Sequence, residues 1–134
     1  MKRSLRRWGP AILQMALIFG ASSIPNLQGL PGGVSDKTGH FVGYAILGVC
    51  VLHAVVADRW AGVTRRHAWQ ALAISSIYGM FDEFHQRFVP GRSPDVNDWI
   101  ADTLGAGAAI LVLLILAALN RRPAVGAGDS SRDQ

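Results

Sequence analysis

The sequence has a single cysteine, Cys50, so an intrachain disulfide and any multi-cysteine metal cluster are excluded. Charge is scarce too: 16% of residues are Asp, Glu, Lys or Arg, against roughly 25% in an ordinary soluble chain. Half the residues are hydrophobic, which is too many for a disordered polyelectrolyte. There is no HExxH, P-loop, GxGxxG or Ser-His-Asp pattern, and no internal repeat. At 134 residues the sequence has no room for a second catalytic domain. A net charge of +4 would suit nucleic acid if the 13 cations formed a surface stripe. They sit instead in short clusters between long apolar runs, so nucleic acid is not an expected partner and a small membrane protein is.

Four apolar blocks follow one another. The first, about residues 8–24, is WGPAILQMALIFGASSI, and the second, 41–57, is FVGYAILGVCVLHAVVA. The third, 68–81, is AWQALAISSIYGMF; the fourth, 99–119, is WIADTLGAGAAILVLLILAAL, with Asp102 its one charge. A helix of 21 residues is about 32 Å long, enough for a hydrocarbon core of about 30 Å. The third block has only 14 uncharged residues, so a crossing helix there must carry Asp82, Glu83 and His85 to membrane depth or to the interface. The alternative is a soluble bundle with a buried helix of that length. Blocks two and four are apolar on every face, which favours lipid. The expected fold is all-α, a four-transmembrane-helix bundle. Its helices cover about 8–24, 37–57, 68–86 and 97–119 in one domain, 1–122, and the Gly/Ser/Ala-rich tail 123–134 is disordered and cytoplasmic.

Orientation follows from the cations. Lys2, Arg3, Arg6, Arg7, Arg59, Arg65, Arg66, Arg121, Arg122 and Arg132 fall on one side, ten in all; the other side holds Lys37, Arg87 and Arg92. That second side also carries Asp36, Asp82, Glu83, Asp95, Asp98 and Asp102. Both termini are therefore expected in the cytoplasm, with the acid-rich end outward. The basic start, the first apolar block and Ala21-Ser22-Ser23 also resemble a cleavable signal sequence. Pro25, Leu27 and the run 28–33 read as a retained loop, and retention is the expectation adopted.

Ionisable residues gather at the outer end of three helices. Lys37, His40 and Tyr44 are spaced i, i+3, i+7, as are Asp95, Asp98 and Asp102. Gly79, Glu83 and Gln86 form one stripe of the third helix, and Tyr78, Asp82 and His85 its neighbour. Such groups cost about 2.5–3.5 kcal/mol each inside a span even on lenient insertion scales, so they should face the bundle and one another. The connection after Gln86 turns at Pro90-Gly91, leaving Arg92 to fold back over Glu83 or Asp98.

Plainer roles compete for some of these positions. Asp95 and Asp98 suit an N-cap or first helical turn, and for Asp95 this is the favoured reading. Lys37 can snorkel, Tyr78 or Trp99 can anchor at the interface, and Arg92 with Glu83 can be a structural ion pair. His53 lies away from the cluster and reads as structural. Gly105, Gly107 and Ala109 form a small-residue face for close packing, and the Gly105/Ala109 face would permit a homo-oligomer.

Three segments together resemble the VanZ-like family. They are DKTGHFVGY from Asp36 to Tyr44, YGMFDEFHQRFVPGRS from Tyr78 to Ser93, and DWIADTLG from Asp98 to Gly105. The family pattern is DKxxHFxxY, then a tyrosine-glycine helix ending in DExxQxFxPxRS, then DxxxNTLG; Ser22-Ser23 resembles the serine pair closing its first helix. The resemblance spans roughly residues 8–118. This chain departs at Asp102, where the family usually has asparagine. The resemblance implies a small bacterial protein of the cytoplasmic membrane, multi-pass, in cell-envelope biology or glycopeptide (teicoplanin) resistance. It brings no established biochemical activity.

Two functions from different classes fit these residues. The first is a membrane enzyme acting at the outer leaflet on a lipid-linked or amphiphilic envelope substrate. His40, Glu83 and Asp98 would do the chemistry, with Lys37, Tyr44, Gln86, Arg92 and Asp102 binding the substrate. A divalent metal on ligands from His40, Glu83, His85, Asp98 and Asp102 is the alternative chemistry, though no recognised ligand spacing supports it. The second function is a non-catalytic module that binds or shields a lipid headgroup or a glycopeptide. A proton path is disfavoured, because the cytoplasmic halves of the helices hold only Gln14, His53 and Ser75-Ser76. Membrane lipids are partners in every case.

Overall fold

The apolar blocks become helices. The computed structural model describes residues 2–25, 35–57 and 60–120, and among these there are four α-helices and no strand. They are α1 (Lys2–Ser22), α2 (Asp36–Val56), α3 (Arg65–Gln86) and α4 (Val96–Leu119), with a 3-10 turn at Trp60–Gly62. The run 28–33, Arg59, Arg121, Arg122, Arg132 and the tail 123–134 lie outside the described residues.

Local chemistry sets the helix ends. Helix α1 begins at Lys2 rather than near residue 8, because Arg3, Leu5, Arg6 and Arg7 are good helix formers, and it runs on through Pro10. Ser35 caps α2, accepting the Thr38 N–H at 3.3 Å. The helix stops where Ala57 turns left-handed (φ 57°) and its N–H reaches back to the His53 carbonyl at 3.1 Å. A capping box between Thr64 and His67 starts α3, three residues before the expected 68. Asp95 is the N-cap of α4, the role favoured for it, accepting the Asn97 N–H at 2.9 Å. Between α3 and α4 the chain turns at Pro90-Gly91, with Gly91 at φ 76°.

Helices α2 and α4 lie side by side and run parallel, since Lys37 meets Asp98 and His40 meets Asp102 in ascending order. Glycine lets them touch. A Cβ on Gly105 would collide with the Phe41 carbonyl, and one on Gly48 would lie 2.9 Å from the Ala106 Cα. Gly105 thus serves close helix packing inside the chain, the role its small-residue face was read for. The core runs along α2 through Tyr44, Leu47, Val51, Leu52 and Val56, with Ala11, Ala71 and Ile110 supplied by the other three helices.

The remaining distribution is inverted relative to a water-soluble bundle. Large apolar side chains point outward on every helix, among them Leu13, Leu17, Val42, Phe81, Phe84 and Leu111. Ser22, Ser75, Asp82, Glu83, Gln86, Asp98 and Asp102 are buried. In water this much exposed apolar surface would drive association, and in lipid it is what the solvent demands. Helices α2 and α4 are each long and apolar enough to cross a membrane. Among the described residues they are the two that meet that test; α1 and α3 carry arginines in their first turns, and α3 carries acids near its end.

The contact at Gly105 predicts a specific sensitivity. Gly105→Ala should destabilise the chain by about 1–3 kcal/mol, because backbone rather than a flexible side chain must give way. Gly20→Ala, where nothing lies within 4 Å, should be neutral or stabilising by up to about 1 kcal/mol. Thermal unfolding of both variants in detergent checks the pair.

Candidate functional site

The two polar stripes face each other across parallel helices, offset so that Lys37 meets Asp98 and His40 meets Asp102. Lys37 Nζ donates to Asp98 Oδ1 at 2.9 Å and to the Asp95 carboxylate at 3.0 Å. One turn along, His40 Nδ1 meets Asp102 Oδ1 at 2.9 Å. A carboxylate only accepts, so Nδ1 carries the proton and Nε2 is the imidazole's remaining nitrogen. Asp102 is 0% exposed. Its Oδ2 lies where a Cβ on Gly79 would be 3.0 Å away, so that glycine makes room for the acid between α3 and α4.

Helix α3 brings Glu83 against this pair. Its Oε2 accepts the Asp95 backbone N–H at 2.8 Å, tying α3 to the start of α4. Its Oε1 lies 4.0 Å from His40 Nδ1 and has no hydrogen-bond partner. Tyr44, 1% exposed, completes the α2 stripe with a hydroxyl that likewise has no partner. At the rim, the Asn97 backbone N–H and then Lys37 hold the Asp95 carboxyl below the ordinary carboxylate range. The cap is therefore charged at neutral pH, and its contribution is lost only as pH falls below that range.

A cleft of ≈ 240 Å³ opens beside His40 between α1 and α2. Leu17, Ile18 and Ala21 form an apolar wall; Ser22, Asp36, His40, Asp82 and Arg92 line its polar part. Helix α1 was not expected to contribute. Ser22 donates to Asp82 Oδ2 at 2.8 Å, and Gln14 donates to the Gly43 carbonyl at 3.0 Å. Gln14, Ile18 and Ser22 lie two i+4 steps apart on one stripe, and that spacing was the available signal. Asp36 and Asp82 likewise line the cleft, although neither was expected to do chemistry or bind substrate.

The expected residues divide accordingly. His40, Glu83 and Asp102 come together, Tyr44 and Gln86 are buried beside them, and Lys37 with Asp98 forms the next rung outward. Arg92 is a correction: its guanidinium pairs with Asp36 at 3.2 Å, not with Glu83 or Asp98. The turn after α3 carries it over the start of α2. His85 is a second correction. It faces α1, with Nε2 3.0 Å from Ser23 Oγ and its ring tilted against that of Phe19, centroids 4.3 Å apart, away from both groups of candidate metal ligands. Tyr78 and Trp99, weighed as interfacial anchors, donate instead to the backbone carbonyls of Met15 (2.7 Å) and Ser76 (3.0 Å).

The arrangement offers an acid-backed imidazole at the edge of a cleft, flanked by a second carboxylate with a free oxygen. That is equipment for moving a proton or for holding a polar headgroup. No curated protein and no solved structure matched the chain in the comparisons made. A family description did match, over residues 12–117, which include all three polar segments and the first-helix residues Gln14 and Ser22. With more than half its length covered, the chain belongs to the VanZ/LLP1 family.

Proposed function

We propose that all four helices cross the bacterial cytoplasmic membrane, with both termini in the cytoplasm and the polar cluster at the outer surface. Arg3, Arg6, Arg7, Arg65 and Arg66 lie at the opposite end of the bundle from the cluster, which supports this orientation. Outward-facing apolar side chains on α1 and α3 support their membrane placement. The third helix spans by burying its acids inward against α1, α2 and α4.

In that setting the protein acts on a lipid-linked or amphiphilic envelope substrate, in keeping with a family role in glycopeptide resistance. One observation carries this reading: the cleft joins an apolar wall of Leu17, Ile18 and Ala21 to the polar groups of His40, Asp82 and Arg92. An amphiphile needs such a site, its chain along α1 and its headgroup at His40. Asp102 orients the His40 imidazole, so Nε2 is the nitrogen available to take or give a proton at the headgroup. Glu83 and Asp98 stand behind it as the other two acids of the proposed chemistry. Lys37 and Arg92 are each paired with the chain's own carboxylates, and of the two Arg92 lines the cleft, where it can meet the headgroup. A second reading, a non-catalytic module that binds or shields a headgroup or glycopeptide, is favoured by the fact that of His40, Glu83 and Asp98 only His40 lines the cleft.

Two measurements check this. In a chain with Cys50→Ser and Ser93→Cys, a membrane-impermeant maleimide should label intact cells; labelling only after permeabilisation would reverse the orientation. Lipid and muropeptide profiles, with teicoplanin susceptibility, should be compared among wild type, a deletion strain and Glu83→Gln. The enzyme reading expects Glu83→Gln to match the deletion. Retention of much of the wild-type phenotype would favour the binding module, and no difference between deletion and wild type would reject an envelope role.

A further inference from the structure

The cluster has an imbalance of charge that its own cations do not resolve. Lys37 is engaged by Asp95 and Asp98, and Arg92 by Asp36. Asp82, Glu83 and Asp102 are left, all buried, with the imidazole of His40 among them. Ser22 satisfies one oxygen of Asp82. Glu83 Oε1 and Asp102 Oδ2 have no partner, although Glu83 is only 7% exposed and Asp102 is 0% exposed. Uncompensated carboxylates in a low-dielectric interior are costly, and a cation between them removes the cost.

We infer that His40, Glu83 and Asp102 form a binding site for one divalent transition-metal ion of the zinc or manganese class. One ring nitrogen of His40 and one oxygen from each carboxylate all lie within 4.8 Å of one another. Metal–ligand bonds of about 2.0–2.2 Å place neighbouring ligand atoms about 3.0–3.5 Å apart. The separations of 2.9 Å from Nδ1 to Asp102 and 4.0 Å from Nδ1 to Glu83 bracket that range. The ion takes the place of the Nδ1 proton, which passes through solvent to Nε2, so the ligand is a neutral imidazole protonated at Nε2. One nitrogen and two carboxylate oxygens suit zinc, manganese or ferrous iron, whereas magnesium prefers an all-oxygen shell.

Tyr44 supplies an independent indication. It is 1% exposed, its hydroxyl has no partner, and Asp82, Asp102 and Glu83 are close enough to act on it electrostatically. A buried phenol normally finds a hydrogen-bond partner. A water completing the ion's coordination would provide one. A second group, Asp36, His40 and Asp98, has similar spacing, but Asp36 is committed to Arg92 and Asp98 to Lys37.

Metal occupancy is a property of the three side chains, whatever headgroup the cleft accepts, so it is measured by itself. The full chain, purified in detergent and stripped with chelator, is equilibrated with zinc or manganese alone and its metal content determined. One ion per chain is expected, with magnesium failing to compete. Glu83→Gln and Asp102→Asn should each weaken binding by at least about tenfold, while Asp36→Asn should not. No stoichiometric ion overturns the proposal. So does binding that survives both carboxylate substitutions, or binding that is lost only in Asp36→Asn. If the variants do not fold, X-ray absorption on the zinc-loaded wild type decides: one imidazole with oxygen ligands supports the site, and a shell without imidazole rejects it. An ion bound without any envelope phenotype would leave this site standing and reject the proposed function.

Discussion

The hydrogen bond between His40 and Asp102 holds together the polar end of the bundle. It joins the two parallel helices, α2 and α4, at a depth where Asp102 has no contact with solvent. In such surroundings a bond to an ionised group is far stronger than at a surface, and leaving either partner alone is correspondingly unfavourable. The pairing also fixes register. Once His40 faces Asp102, Lys37 must face Asp98 one turn outward, and Gly105 must meet the Phe41 backbone one turn inward.

The other two helices complete what this pair begins. Helix α3 contributes Glu83, anchored on the Asp95 backbone, and Gly79, whose missing side chain admits Asp102. Helix α1 closes the remaining side with Ser22 on Asp82 and Ser23 beside His85. Buried polar groups are thereby shared among all four helices, while Leu13, Leu17, Phe81, Phe84 and Leu111 face outward. The cleft sits where α1 leans on α2, the place where an apolar wall and the polar cluster meet.

Much of this was legible in the sequence because helical spacing is a strong constraint. The i, i+3, i+7 stripes of Lys37-His40-Tyr44 and Asp95-Asp98-Asp102 announced one polar face each, and the three ordered motifs announced the family. What spacing cannot supply is the partner of a residue on a turn. Arg92 follows Gly91, whose left-handed backbone redirects the chain toward Asp36. His85 lies two residues past Glu83, about 200° around the helix, so it leaves α3 on nearly the opposite side and faces α1. Gly105 read as part of a small-residue packing face, but spacing alone does not say that the backbone it meets is that of Phe41 on α2.

The most direct test of the central interaction is the imidazole nitrogen NMR spectrum of the metal-stripped chain in bilayers, with His40 assigned by His40→Gln. The pairing predicts a protonated Nδ1 with a strongly hydrogen-bonded proton, and a clear change in both ring nitrogens in Asp102→Asn. A His40 spectrum that is the same with Asp102 or Asn at that position would contradict the account.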